Sequence, residues 1–436
     1  MARNIVHMAL PMTVAQLINI LYNVVDRMYL GRLPGHLALT GLGLCLPIIS
    51  ILMAFANLCG MGGAPLCSIH RGRGENGEAE YIMGNSFALL LLFGAGLTVL
   101  CLAFRRPILY LFGASDVTFP YANDYLTIYV LGTVFVMIGL GMNPFINSQG
   151  FSGMGMLTVA LGAVVNIVLD PIFIFLLGMG VRGAALATVI SQACSAVWVL
   201  CFLTGRRVIL RLRPAALRLR WARVRRILAL GASGFAMSMT NSLVQVLCNA
   251  SLQVYGGDLY VGVMTVINSV REVVSMPVQG ITNGCQPVLG YNYGAGEYGR
   301  VREGIRFTTV LTVGYSLAAW ALVMAVPELL IRIFNSEADL IAAGIPAFRI
   351  YFAAFFCMSF QFIGQSVFVG LGRSKNAVFF SLLRKAFIVA PLTLLLPALG
   401  MGVNGVFLAE PISNVLGGLA CILTMYATVY RPLGRQ

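Results

Sequence analysis

The chain has 436 residues, of which 59% are hydrophobic and only 10% charged, with a formal net charge of +14. A water-soluble domain carries about 25% charged residues, so this composition excludes a soluble enzyme or binding module and indicates an integral membrane protein. Arginine supplies nearly all of the positive charge, which in so apolar a chain reads as membrane orientation and not as nucleic-acid binding.

Twelve apolar stretches, each near ~20 residues or longer, are long enough to span a bilayer. They lie at roughly 5–30, 37–66, 81–104, 121–146, 155–178, 182–204, 227–255, 260–285, 306–326, 341–369, 376–398 and 404–429. Strand alternation is absent, so the expected class is an all-α membrane protein of twelve transmembrane helices. The first stretch is expected to be a true span and not a cleaved signal: it runs on past Leu30 without a small-residue cleavage site, and Pro11, Gln16 and Asn19 interrupt it.

Between the sixth and seventh stretches lie nine arginines, Arg206 to Arg226. With the N-terminus inside, the inner segments also hold Arg3, Arg71, Arg73, Arg300, Arg302, Arg306, Arg373, Lys375, Arg431 and Arg435, whereas the outer ones hold only Arg32, Arg105, Arg106, Arg182 and Arg332. This asymmetry places both termini in the cytoplasm of a multi-pass protein of the cell (inner) membrane.

The chain repeats itself at an offset of 222 residues. Gly178–Ser191 returns as Gly400–Ser413 with nine of fourteen positions identical, and Gly62, Pro65, Gly72, Gly74, Glu75 and Gly77 return as Gly284, Pro287, Gly294, Gly296, Glu297 and Gly299. Six spans per half is an even number, so the halves point the same way and are expected as two pseudo-two-fold-related six-helix bundles. The domains expected are an N-lobe at 1–204, an arginine-rich cytoplasmic linker at 205–226 and a C-lobe at 227–436. Gly72–Gly77 and Gly294–Gly299 fit a dinucleotide-binding GxGxxG pattern, but each follows a membrane span where that chemistry requires a strand. They read instead as tight inner turns. The ten cysteines sit singly, and His7, His36 and His70 are scattered, so neither a disulfide framework nor a resident metal or other cofactor is expected.

Acids inside a bilayer cost about 2.5–3.5 kcal/mol each on insertion scales, which makes them functional candidates by default. Asp26, Asp170, Glu272 and Glu410 qualify. Gln16, Asn19, Asn23 and Asp26 follow steps of 3, 4 and 3 and share a helix face, with Tyr22 one turn before the acid. Asn166 and Asp170 are likewise i, i+4, and Pro171 removes an N–H from the following turn, freeing a carbonyl. Thr188 adds a hydroxyl and Asn143 an amide. Such hard oxygen donors suit Na⁺ or a shared proton as the coupling ion, the alternative being polar glue between helices. The second half differs: the offset puts Leu392 at Asp170, Ile388 at Asn166 and Glu410 at Thr188, and brings Arg271, Arg349, Arg384 and Lys385. Glu272 and Glu410 there are either substrate-cavity groups or structural pairs neutralised by those cations. Asn241, Gln245, Asn249 and Gln253 form an amide stripe at i+4 steps, lining a wet cavity or joining helices, and Asn241 and Gln245 are expected together with Gln16 and Asn19 as substrate-cavity groups.

Ala9–Pro11 with Asp26–Gly31, Asn166–Pro171, Gly180–Ala185 and Gln286–Ala295 are the carriers of a resemblance. Over nearly its whole length the chain resembles the MATE family of multidrug and toxic compound extruders, and within it the MepA-like branch. The resemblance implies two six-helix lobes around a central cleft and export of cationic, amphipathic small molecules against inward Na⁺ or H⁺ flow, by a protein that is not an enzyme and acts as a monomer in the lipid bilayer. It also implies an N-lobe cation site at Asp26, Asn166, Asp170 and Thr188 with the Ala184 carbonyl, a supporting network of Tyr22 and Asn143, and a bend of the first helix at Pro11. Some branches place coupling acids on helices seven and ten, where this chain has none, so the N-lobe is the expected coupling site. The alternatives are a flippase or exporter of lipid-linked or other metabolites in the same superfamily, a major-facilitator antiporter, and a membrane enzyme. The last lacks any nucleophile–base constellation.

Overall fold

The computed structural model describes residues 1–32, 37–334 and 336–434. His36 and Arg435 lie outside the described residues, as do the side chains of Arg27, Gly31 and 37–40. Helices account for all the regular structure among the described residues. Among the described residues, eight helical runs are long and apolar enough to cross a membrane, and ten if each of two bent pairs counts as one span. Two of the eight are double: a 74-residue run breaks at Gly257 (φ 69°, ψ −166°) and the run Ser374–Gly434 at Gly400 (φ 97°). Divided at those breaks, the runs make the twelve spans of the expected class. At Gly257 the positive φ would force a side chain against its own backbone, so glycine is what lets the chain leave one span and start the next.

The internal repeat is written in the backbone. Positive-φ glycines recur as Gly74 and Gly296, Gly150 and Gly372, Gly178 and Gly400, and Gly180 and Gly402, each pair 222 residues apart. The chain divides into two compact units.

One unit is Leu10–Phe235. It holds most of α1 (Ala2–Gly31), then α2 (Leu37–Gly72), α3 (Asn76–Ala103), α4 (Arg105–Leu111), α5 (Phe119–Leu131), α6 (Thr133–Ser148), α7 (Ser152–Pro171) and α8 (Val181–Thr204). The fourth expected span is α5 and α6 together, bent by 57° at Gly132. Lipid supplies no hydrophobic drive between helices, so contact depends on small residues that admit close approach. A Cβ on Gly60 of α2 would lie 2.6 Å from the Gly141 carbonyl oxygen of α6. Phe145, Met137, Leu90 and Ile82 fill the space beside this crossing. The arginine-rich segment is strapped to this unit. The Asn85 side chain donates to the Ala216 and Arg218 carbonyls at 3.0 Å and accepts from the Arg220 amide at 2.9 Å, while Glu78 pairs with Arg223 at 2.7 Å and Arg226 at 3.0 Å.

The other unit is Met1–Ala9 with Ala236–Gln436. It contains most of α9 (Trp221–Gly294), α10 (Tyr298–Ala325), α11 (Pro327–Phe334), α12 (Ala338–Phe352), α13 (Met358–Gly370), α14 (Ser374–Leu382), α15 (Ala390–Leu396) and α16 (Gly402–Met425). The tenth expected span again bends, by 40° between α12 and α13, where Ala354 stands in the register of Gly132. The first nine residues pack here: a Cβ on Gly284 would meet the Ala9 backbone at 2.6 Å. The boundary between the units therefore falls inside α1, between Ala9 and Leu10 and so just before Pro11. A wide π-helical turn, Leu383–Val389, joins α14 to α15 and lies against α16. Leu10, Leu21, Leu131, Leu176, Leu322 and Leu399 are among many exposed large apolar side chains, as a protein solvated by lipid requires.

Candidate functional site

Asp170 is fully buried at the end of α7, where Pro171 leads into a π-helical turn, Ile172–Leu176. Asn166, one turn earlier, donates from Nδ2 to Asp170 Oδ1 and to Thr188 Oγ1, both at 3.4 Å, and Thr188 Oγ1 donates to the Ala184 carbonyl at 3.0 Å. The Asp26 carboxyl of α1 lies against Asp170 within side-chain hydrogen-bond reach. Two carboxyl groups so placed cannot both be charged without a cation or a proton between them. Asp170 Oδ2 and Asn166 Oδ1 are buried acceptors with no donor among the described residues. Acceptors of this kind fit a small hard cation or a proton.

Tyr22 lies within electrostatic reach of both aspartates. Two residues that sequence reasoning missed complete the cluster. Tyr125 and Tyr129 of α5 are buried and stacked with ring centroids 6.1 Å apart, and Tyr125 lies within electrostatic reach of Asp26 and beside Thr188. Their i, i+4 spacing gave no distinguishing signal, because the same helix also carries Tyr121, Asn123, Asp124 and Thr127.

Other expected residues are elsewhere. Asn143 donates to the Gly155 carbonyl at 3.4 Å. Gly155 is fifteen residues before Asp170 on α7, about 22 Å along the helix at 1.5 Å per residue, so this contact does not tie Asn143 to the aspartates. Gln16 is half-buried and Asn19 exposed, its carbonyl taken by the Asn23 side chain at 2.8 Å. Pro11 sits within a continuous helical stretch of α1.

In the other unit, Glu410 of α16 is gripped by cations. Arg384 Nη1 is 2.9 Å from Oε1, Lys385 Nζ 2.9 Å from Oε2, and Arg271 Nη1 3.9 Å from Oε1. Arg384 Nη1 also donates to Asn414 Oδ1 at 2.6 Å. Beside them is a cavity of about 130 Å³ lined by Asn241, Ser242, Gln245, Arg271, Tyr351, Lys385 and Glu410, among others. Glu272 is exposed and does not line it. Of the two acids expected either in a cavity or in structural pairs, Glu410 has both relations and Glu272 neither of them here.

A family model described as MatE matches residues 11–172 and again 234–395. The chain therefore belongs to the MatE family, which consists of membrane transporters and not enzymes. Among similar proteins is the multidrug export protein MepA of Staphylococcus haemolyticus, 23% identical over 421 residues, which cover 97% of this chain and 92% of that one. The MepA of Staphylococcus saprophyticus is 22% identical over 424 residues, covering 97% and 93%. A solved structure described as the outward-facing conformation of a multidrug resistance MATE transporter matches with a TM-score of 0.93 at 22% identity, covering 100% of this chain and 97% of that one. A superfamily transporter from Pyrococcus furiosus, described as having a binding pocket of reverse polarity that suggests a different function, matches with the same score, identity and coverage.

Proposed function

We propose that this protein is a cation-coupled multidrug exporter that carries cationic amphipathic compounds out across the cytoplasmic membrane by alternating access, driven by inward Na⁺ or H⁺ flow. The observation that carries this reading is the buried contact of Asp26 with Asp170, beside Asn166 and Thr188. A cation or proton entering there removes the repulsion between the two acids, allowing α1 to draw toward α7 and α8; its departure reverses the movement. Ion and substrate are thereby linked through two global states that each stabilises differently. The proposal includes lobes at 1–204 and 227–436 joined by a cytoplasmic segment at 205–226, both termini inside, and a monomer as the working unit. The multidrug names of the Staphylococcus relatives support the export direction.

The test is efflux of a fluorescent cationic amphiphile from proteoliposomes, with Na⁺ and pH gradients imposed separately. Export driven by one gradient and lost in Asp26→Asn and Asp170→Asn supports the reading; normal export by both variants overturns it. Single cysteines placed in 205–226 of a cysteine-free chain should resist an impermeant reagent in intact cells, and labelling from outside would reverse the topology. A second reading, export or flipping of a metabolite that carries an anionic group, is favoured by the cation-rich cavity beside Glu410 and by the pocket polarity ascribed to the Pyrococcus transporter.

A further inference from the structure

The cations around Glu410 outnumber the charge they neutralise. Arg271, Arg384 and Lys385 surround one carboxylate, and even with exposed Glu272 beside Arg271 the group keeps an excess positive charge. Uncompensated charge at such a place in a membrane span is costly. Two guanidinium donors, Arg271 Nε and Arg384 Nε, are buried with no acceptor among the described residues. Arg384 itself is 3% exposed. A structural ion pair would consume these donors, whereas here they are left over, and Arg271 lies on the wall of the cavity. Arg271 and Lys385 line that cavity, with the amides of Asn241, Gln245 and Asn268 and the hydroxyls of Ser242 and Tyr351. Ser242 and Gln245 are exposed, so the cavity can be entered from their side. At about 130 Å³ it has room for a small polar head and not for a whole amphiphile.

We infer that this cavity is an oxyanion site: Arg271 and Lys385 receive a carboxylate or phosphate group of the transported molecule, and the amides and hydroxyls orient it. Planar guanidinium donors match oxyanion geometry, and the ammonium supplies a second charge. The inference deepens the second reading above, and it makes the cargo anionic or zwitterionic whichever ion drives transport.

The experiment measures binding without a gradient, so its failure leaves coupling at Asp26 and Asp170 standing. Full-length protein in phosphatidylcholine nanodiscs is titrated calorimetrically with 3-phenylpropanoate, benzyl phosphate and benzyltrimethylammonium. Both anions are expected to bind more tightly than the cation. Arg271→Gln should weaken the anions by roughly tenfold or more. Asn241→Asp, which puts a carboxylate into the cavity and leaves the Glu410 cluster untouched, should do the same and decides the question if Arg271→Gln does not fold. Repetition in nanodiscs containing phosphatidylglycerol separates the two sources of such a group. Competition by the anionic lipid assigns the site to a headgroup, and unchanged affinity assigns it to a soluble oxyanion. The inference is overturned if neither anion binds up to about 10 mM, if the cation binds as well as they do, or if both variants leave anion binding unchanged.

Discussion

Thr188 and Glu410 occupy the same register in the two halves of the chain, yet their surroundings have opposite polarity. Thr188 turns its hydroxyl to the Ala184 carbonyl and receives the Asn166 amide, next to two acids. Glu410 faces two arginines and a lysine and reaches no second acid through those contacts. Both clusters adjoin a π-helical turn, Ile172–Leu176 in one half and Leu383–Val389 in the other. Widened turns of this kind are frequent at functional sites. A duplicated backbone has thus kept its glycine hinges while its polar sites diverged, one half becoming acid-rich and the other base-rich. The side chains, not the helix path, separate the acid-rich cluster from the base-rich one.

The comparison predicts a graded series of effects. The largest belongs to the acid-rich site: Asp170→Asn or Asp26→Asn should lower gradient-driven efflux by about 100-fold, the upper part of the usual coupling range. The double variant should be no worse than either, since the two act as one unit; additive losses in the proteoliposome assay would show that they act separately. Next is Glu410→Gln, which strips the carboxylate from buried Arg384 and Lys385 and from half-buried Arg271 and should cost about 3–5 kcal/mol of stability, as breaking a buried pair does. Thermal unfolding in detergent should register that loss, while gradient dependence per folded molecule persists. A dead but stable Glu410→Gln protein would move coupling into the base-rich half. Tyr125→Phe removes a buried hydroxyl beside Asp26 and Thr188, with an expected cost of about 1 kcal/mol, seen as a few-fold loss of efflux; no change would remove Tyr125 from the site. The smallest effect tests the shared backbone. Gly178→Ala and Gly400→Ala each add a Cβ with nothing within 4 Å, at φ of 63° and 97°, so only backbone strain is altered, about 1 kcal/mol apiece. Unequal shifts in melting temperature would mean that the two hinges are not equivalent.

The fold was largely legible because membrane spans are dictated by composition and length, and because the 222-residue offset survives as identical glycines and prolines. The bends at Gly132 and at Ala354 were not legible: both fall within apolar stretches that read as continuous, and an apolar run does not encode where its axis changes direction. Of the site, Asn166, Asp170 and Thr188 could be picked out as polar groups in apolar spans, and Asp26 likewise. Tyr125 and Tyr129 could not, because buried tyrosines are ordinary packing until a neighbouring helix brings a hydroxyl or a carboxylate to them. Asn143 shows the converse, an intramembrane amide whose side chain is bonded to the Gly155 carbonyl, fifteen residues along α7 from Asp170.

By itself the sequence determined that this chain lies in a membrane, that it is helical and doubled, and that its charged residues are too costly there to be incidental. Those conclusions depend on totals and on spacing along one helix, which the chain carries locally. Only the tertiary structure decided which of those residues meet. It brought α1, α5, α7 and α8 together around Asp170, gave Glu410 three cations where one would neutralise it, and left Glu272 outside the cavity. The reason is geometric: contacts between residues tens or hundreds of positions apart depend on helix crossings, and those are set by small residues such as Gly60 and Gly141, far from the groups whose chemistry they arrange.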